Sequence, residues 1–161
     1  MYYAGIGSRE TPRDILNKMT RIAKAFEVIG FTLRSGGARG ADRAFERGVQ
    51  NRKEIFYSND ATKEAIDLAL KFHPNPNAIK KKPYVLGLMG RNMQIVLGRD
   101  LVHPVKFIVC WTKDGGPTGG TGQALRIAQQ INLKVYNLYY KQHLIDLVSY
   151  YNDFKKNFKY D

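Results

Sequence analysis

The chain has 161 residues, of which 43% are hydrophobic, and its formal net charge at pH 7 is +12. This composition excludes a disordered chain, and the length suffices for one domain with a buried core. No apolar run reaches the ~20 residues that cross a bilayer, and Met1–Tyr3 does not resemble the start of a signal peptide, so we expect a soluble, cytoplasmic protein without a membrane partner.

The positive charge narrows the range of partners. With 26 Lys and Arg against 14 Asp and Glu, the chain is expected to attract nucleic acid or a small, highly charged ligand. A solvated basic surface that only keeps the protein soluble is the alternative. The basic residues are spread out, with clusters at Lys80–Lys82 and at Lys155, Lys156 and Lys159, so charge alone does not locate a binding face.

Short apolar segments alternate with helical patterns. The first strand is predicted over Tyr2 to Ile6; Thr11 and Pro12 are predicted as N-cap and first residue of a helix that has Asp14 in its first turn and ends at Gly30. The next predicted elements are a strand at 31–33, a helix around 44–49, a strand at 55–57, a helix at 61–72 capped by Asn59 or Asp60, a loop at 73–77, a helix at 84–97, a strand at 105–111, a helix at 123–130, a strand at 133–138 and an aromatic-rich helix within 141–158. This order predicts a single α/β domain over 1–161, with a mainly parallel sheet of about five or more strands and helices on both faces.

One glycine-rich loop follows the most apolar predicted strand. The run Val105–Cys110 leads into Asp114–Gly122, and a helical pattern follows. Strand, glycine loop and helix together expose backbone N–H groups and the positive end of a helix dipole to an anion. Thr118 and Thr121 add hydroxyl donors, and glycine lets the main chain approach a phosphate closely. A plain turn is the alternative interpretation.

Two further polar loops begin where predicted strands end. They are Gly7–Arg9 and Ser35–Asp42. In parallel sheets, ligands collect beyond the carboxyl ends of the strands, where the strand order reverses. Three such loops at one edge predict a shared pocket.

The same loops resemble the SLOG superfamily of Rossmann-like proteins, which includes the DNA-processing protein A (DprA) family, the YspA/YpsA-related proteins and the LOG phosphoribohydrolases. The resemblance rests on Gly7–Arg9, Ser35–Asp42 and Gly119–Ala124, and Arg91–Met93 resembles a segment of the DprA family. It implies a Rossmann-like fold with a pocket for a nucleotide or nucleotide-derived ligand and no other cofactor. The implied ligand-binding residues are Gly7, Ser8, Arg9, Ser35, Gly36, Gly37, Arg39, Gly40, Asp42, Arg91, Trp111, Gly119, Gly120, Thr121, Gly122 and Gln123.

Several of these side chains have two interpretations. Arg9 and Arg39 are candidate phosphate or ribose-phosphate ligands, because a guanidinium presents two parallel donors. Asp42 either accepts from a ribose hydroxyl or caps the following helix. Arg91 either reaches the pocket or lies on a solvated face. Trp111 either stacks on a base or packs in the core or at its rim.

The chain departs from the LOG hydrolases at one point. Their glycine loop continues into glutamates, whereas Gly122, Gln123 and Ala124 follow here. A neutral glutamine cannot act as a general base or stabilise an oxocarbenium ion. Asp42 and Asp114 are the remaining nearby carboxylates, and no catalytic residue is assigned.

Other chemistries are less favoured. His73, His103 and His143 lie in separate segments without ligand spacing, so no metal site is expected. The single cysteine, Cys110, excludes an internal disulfide, and its position in a predicted buried strand favours inert packing.

Three functions remain, in this order. The first is binding of a nucleotide-derived ligand for sensing or sequestration. The second is a DprA-like mediator of recombination that binds single-stranded DNA, favoured by the charge and ten tyrosines. The third is hydrolysis of a nucleotide N-glycosidic bond. A homo-oligomer is also expected, with the aromatic-rich final helix as a candidate interface.

Overall fold

In the computed structural model, which describes residues 1–158, five parallel strands form one sheet in the order β3-β2-β1-β4-β5. The strands are β1 (Tyr2–Gly5), β2 (Thr32–Ser35), β3 (Lys53–Ile55), β4 (Phe107–Cys110) and β5 (Lys134–Asn137). The helices are α1 (Arg13–Val28), α2 (Ala41–Arg47), α3 (Lys63–Phe72), α4 (Pro76–Ile79), α5 (Pro83–Leu97), α6 (Thr121–Gln130) and α7 (Lys141–Asn157), with a 3-10 turn at Ser58–Asp60. The predicted α/β class is confirmed. Residues 159–161 of the predicted domain, which include Lys159, lie outside the described residues.

Side chains that alternate along the strands divide the core into two layers. In β4, Phe107 and Val109 pack into the layer that contains residues of α1, α2 and α7. Ile108 and Cys110 point the other way, into the layer with residues of α3, α5 and α6. Because successive side chains of a strand face opposite sides of a sheet, the all-apolar β4 is buried on both faces.

The order of the strands creates a crevice beside β1. From β1 the chain moves outward to β2 and β3, and then returns to place β4 on the other side of β1. The loop after β1 leads to α1 on one face, and the loop after β4 leads to α6 on the other. Loops that diverge in this way leave a gap at the carboxyl edge of the sheet.

Two predicted helix starts are wrong. Pro12 occupies the N-cap of α1, and the hydroxyl of Thr11 donates instead to the carbonyl oxygen of Ser8 at 2.7 Å. Helix α3 is capped by Thr62, whose hydroxyl oxygen accepts from the amide of Ala65 at 3.2 Å. The predicted caps Asn59 and Asp60 lie in the 3-10 turn before it.

Other boundaries also shift. The third strand lies at Lys53–Ile55 rather than 55–57, because its register with β2 pairs Leu33 with Lys53 and Ser35 with Ile55. The predicted loop at 73–77 contains the start of α4, since a proline fits the first turn of a helix, where its missing N–H is not needed.

A search of the helices within 1–158 finds none with both the length and the apolar character needed to cross a membrane.

Candidate functional site

A cavity of about 640 Å³ lies at the carboxyl edge of the sheet, beside the β1–β4 crevice. Its volume falls in the range of small-molecule sites, roughly 300–1,000 Å³. The loops after β1, β2 and β4 all contribute to its wall, and α5 closes the remaining side. The predicted site residues that line it are Gly7, Ser8, Arg9, Asp42, Arg91, Gly119, Gly120 and Thr121.

The other predicted residues do not line the cavity. They are Ser35, Gly36, Gly37, Arg39, Gly40, Trp111, Gly122 and Gln123. Some of them pack behind the residues that line the cavity, and the side chains of others point away from it.

Trp111 lies on the wrong side of the sheet for the cavity. It follows Phe107 and Val109 in the alternation of β4 and packs half-buried against their layer. Its neighbour Thr112 has the opposite orientation and lines the cavity. The period of two in an extended segment is the signal that favours Thr112 over Trp111.

Gln123 is fully buried behind the loop. Its side-chain amide nitrogen donates to the carbonyl oxygen of Ala69 in α3 at 2.9 Å, and its oxygen accepts from Arg126 at 2.7 Å. The side chain therefore joins α6 to α3 and does not face a ligand. A carboxylate placed there would also point away from the cavity.

Glycines allow the first two loops to pack closely together. Gly40 has φ +87°, and a Cβ on it would lie 2.7 Å from the Cα of Arg9 and 2.8 Å from the carbonyl oxygen of Ser8. A Cβ on Gly36 would lie 2.8 Å from both the Cζ of Arg91 and the Oδ2 of Asp42. Gly40 thus permits close approach of the first loop's backbone, and Gly36 leaves room for the side chains of Arg91 and Asp42.

Asp42 and Arg91 form the charged floor of the cavity. The carboxylate of Asp42 accepts from the amide of Ala38 at 3.3 Å, so it orders the preceding loop instead of capping α2. Burial raises the pKa of Asp42 to about 6, and Arg91 together with the amides of Ala38, Gly7 and Gly36 opposes this rise. Arg91 donates to the carbonyl oxygen of Gly36 at 2.9 Å, and burial lowers the pKa of Arg91.

The remaining charges of the wall are mostly positive. Arg9 and Lys113 line it and are exposed, as is Glu10. With Arg91, three cations stand against the two carboxyl groups of Glu10 and Asp42, and because burial raises the pKa of Asp42 to about 6, that carboxyl is partly protonated near pH 6. This balance favours an anion over a cation in the cavity.

The loop between β4 and α6 is the best anion cradle in the wall. Within residues 1–158, the amides of Gly119, Gly120 and Thr121 have no protein acceptor, whereas Gly122 donates to Thr118 at 3.0 Å. Asn92 of α5 holds the loop through the carbonyl oxygen of Gly120, at 3.0 Å. Adjacent free amides at the start of a helix suit a phosphate or carboxylate.

Asp114 shapes the same loop from outside the cavity. Its carboxylate accepts from the amide of Gly116 at 2.9 Å and from the hydroxyl of Thr118 at 3.1 Å. These bonds lower the pKa of Asp114. The hydrogen bonds that this carboxylate accepts therefore hold the conformation of the loop.

Sequence reasoning missed the apolar wall on α5. The residues are Tyr84, Val85, Leu88 and Met89. Helix positions three, four and seven residues apart share a face. If the face of α5 that contains Arg91 and Asn92 borders the pocket, the apolar residues three, four and seven positions earlier border it as well. An apolar wall and free amides in one cavity suit a ligand with one flat, apolar end and one anionic end.

Among the described residues, no group of three or more His, Cys, Asp and Glu side chains is arranged to hold a metal ion. The fold and the site define this chain as a Rossmann-like α/β protein with an anion-compatible cavity at its sheet edge. No protein-family model and no curated protein matches it.

Among solved structures, it is similar to DNA processing protein A from Helicobacter pylori, whose structure reports a single-stranded DNA binding mode. The TM-score is 0.65 and the sequence identity 13%, over 98% of this chain and 81% of that chain. The chain therefore has a DprA-like, Rossmann-like fold.

Proposed function

We propose that this protein binds single-stranded DNA and that one nucleotide of the strand enters the cavity at the sheet edge. In this arrangement the phosphate meets the free amides of Gly119–Thr121, and the base lies against the apolar wall of α5. The observation that carries the proposal is the cavity itself, in which loops from three strands combine free amides, guanidinium groups and an apolar wall.

Two further observations support this function. The net charge of +12 favours association with a polyanion. The structural neighbour binds single-stranded DNA, and its fold matches 98% of the present chain. Membership of the SLOG superfamily, which the three loop motifs suggest, is part of the same proposal.

The proposal is tested with two exposed cations of the cavity wall. The double variant Arg9→Gln/Lys113→Gln removes both of them, and fluorescence anisotropy measures binding of a labelled 15-nucleotide oligothymidylate across a salt series. If each cation contacts one phosphate, the negative slope of log K against log[salt] becomes less steep by about 1.4. The affinity at 0.1 M salt then falls by about 25-fold relative to the wild type.

A matched control removes two charges from the opposite edge of the sheet. Lys155 and Lys156 are exposed and follow Phe154, which packs on Phe31 at the amino end of β2 with ring centroids 4.9 Å apart. Lys155→Gln/Lys156→Gln should bind almost as tightly as the wild type. Equal losses in both double variants, or no binding by the wild type, would contradict the proposal.

A free nucleotide-derived ligand is the second candidate, for sensing or sequestration. The observation that favours it is the size of the cavity, which suits one nucleotide without a strand attached. Isothermal titration with mono-, di- and cyclic nucleotides and ADP-ribose tests this candidate. Tight binding of one of them, together with weak binding of the oligonucleotide, would favour it over DNA, and release of free base would reveal a hydrolase.

A further inference from the structure

A run of exposed lysines directly precedes α5, the helix that closes one side of the cavity. Lys80, Lys81 and Lys82 immediately precede α5, and Lys82 occupies its N-cap. Tyr84, in the first turn of α5, lines the cavity and is 63% exposed. We call these four residues the lysine rim.

The lysine rim is joined directly to the cavity wall. Consecutive Cα atoms are 3.8 Å apart, so the Cα atoms of Lys82 and Tyr84 are separated by at most about 7.6 Å. The buried Ile79 of α4 anchors the segment on its other side. The backbone of Lys82 is therefore held close to a residue that lines the cavity, and Lys80 and Lys81 continue the chain from it.

The stability of the fold does not explain these charges. Cations near the positive end of a helix dipole are unfavourable, and the first turn of α5 contains no acidic residue. Among the ion pairs of the described residues, none includes Lys80, Lys81 or Lys82. By contrast, Lys155 and Lys156 lie in the last turn of α7, where the dipole favours them.

We propose that the lysine rim is a second contact surface for the DNA strand, which binds the phosphates next to the nucleotide held in the cavity. This inference rests on the proposed function and extends it from one nucleotide to a strand. Three adjacent cations complement a chain of phosphates better than a single anion. The exposed ring of Tyr84 offers a face on which a neighbouring base can stack.

The triple variant Lys80→Gln/Lys81→Gln/Lys82→Gln tests the rim. For the labelled 15-nucleotide oligothymidylate, the loss of three phosphate contacts makes the negative slope of log K against log[salt] less steep by about 2. At 0.1 M salt this change corresponds to an affinity about 100-fold weaker than that of the wild type. Binding of thymidine 5′-monophosphate, measured by titration calorimetry, should not change, because the cavity remains intact. An oligouridylate of equal length should bind more weakly than the oligothymidylate, and tighter binding of the oligouridylate would overturn the assignment of the rim to DNA.

A second triple variant controls for total charge. Lys24→Gln/Lys155→Gln/Lys156→Gln removes three exposed lysines from α1 and α7. Circular dichroism and urea unfolding test whether both variants are folded. A surface substitution of this kind is expected to change the free energy of unfolding by only about 0.5 kcal/mol.

The outcomes separate the rim from the cavity. A rim variant that binds the oligonucleotide like the wild type, while Arg9→Gln/Lys113→Gln loses affinity, overturns the rim and leaves the cavity proposal intact. Equal losses in both triple variants also overturn the rim. A wild type that binds no oligonucleotide overturns both proposals together.

Discussion

The buried carboxyl of Asp42 makes protein stability depend on pH in a direction opposite to that of most carboxylates. Burial raises the pKa of Asp42 from 3.8 to about 6. The folded protein therefore holds this group protonated more strongly than the unfolded chain does. Its contribution to stability is complete below pH 3.8 and is lost as the pH rises through about 6.

The magnitude follows from the size of the shift. A change of about 2.2 pKa units corresponds to about 3 kcal/mol, at 1.36 kcal/mol per unit. Asp42→Asn removes the titrating group but keeps a side-chain oxygen that can accept from Ala38. Between pH 4 and pH 7.5, the stability of the variant relative to the wild type should rise by about 2.5 kcal/mol.

Urea unfolding at the two pH values measures this difference, with Asp114→Asn as the control. Asp114 is exposed and its pKa is lowered by loop hydrogen bonds, so its stabilising contribution is present at neutral pH and lost as the pH falls. The two variants should thus respond to pH with opposite signs. A stability difference between Asp42→Asn and the wild type that is the same at both pH values would show that the Asp42 carboxyl does not titrate with a raised pKa.

Two predictions concern the packing behind the site. Gly40→Ala should lower the free energy of unfolding by about 1–3 kcal/mol, because Gly40 has a left-handed φ of +87° and the added Cβ would contact the backbone of Arg9. In the control variant Gly120→Ala, the added Cβ meets no atom within 4 Å, so the free energy of unfolding should change little. Equal urea midpoints for the two variants would contradict this prediction. Burial raises the pKa of Cys110 to about 12, so a thiol reagent at pH 8 should label it only after unfolding, and rapid labelling of the native protein would disprove its inert role.

The position of the cavity is predictable from the sequence, because alternating strands and helices and the composition of the loops are local patterns with a fixed geometric result. Apolar segments that alternate with helices predict parallel strands, and the carboxyl ends of parallel strands share one edge. The loops at Gly7–Arg9 and Gly119–Thr121 therefore met at one cavity.

Side-chain direction was harder to predict. The chemistry of Trp111 allows either stacking on a base or packing at the core, and the alternation along β4 turns it to the layer opposite the cavity, where it packs. Gln123 was included because of its place in the loop, yet it donates to Ala69 across the α6–α3 contact. Tertiary contacts of this kind are not encoded in short motifs.

The apolar wall of α5 was missed for a related reason. Its residues have no distinctive motif, and only the packing of α5 beside the crevice makes them part of the site. The cap of α3 was misplaced because Asn59, Asp60 and Thr62 are all capable caps. The 3-10 turn at Ser58–Asp60 decides in favour of Thr62.

The most direct measurement is an NMR titration of the ¹⁵N-labelled protein with unlabelled 15-nucleotide oligothymidylate. We expect the largest amide shifts in the loops 7–10, 38–42 and 112–121 and at the start of α5. Shifts confined to the outer surfaces of α1 and α7, or none at saturating oligonucleotide, would contradict it.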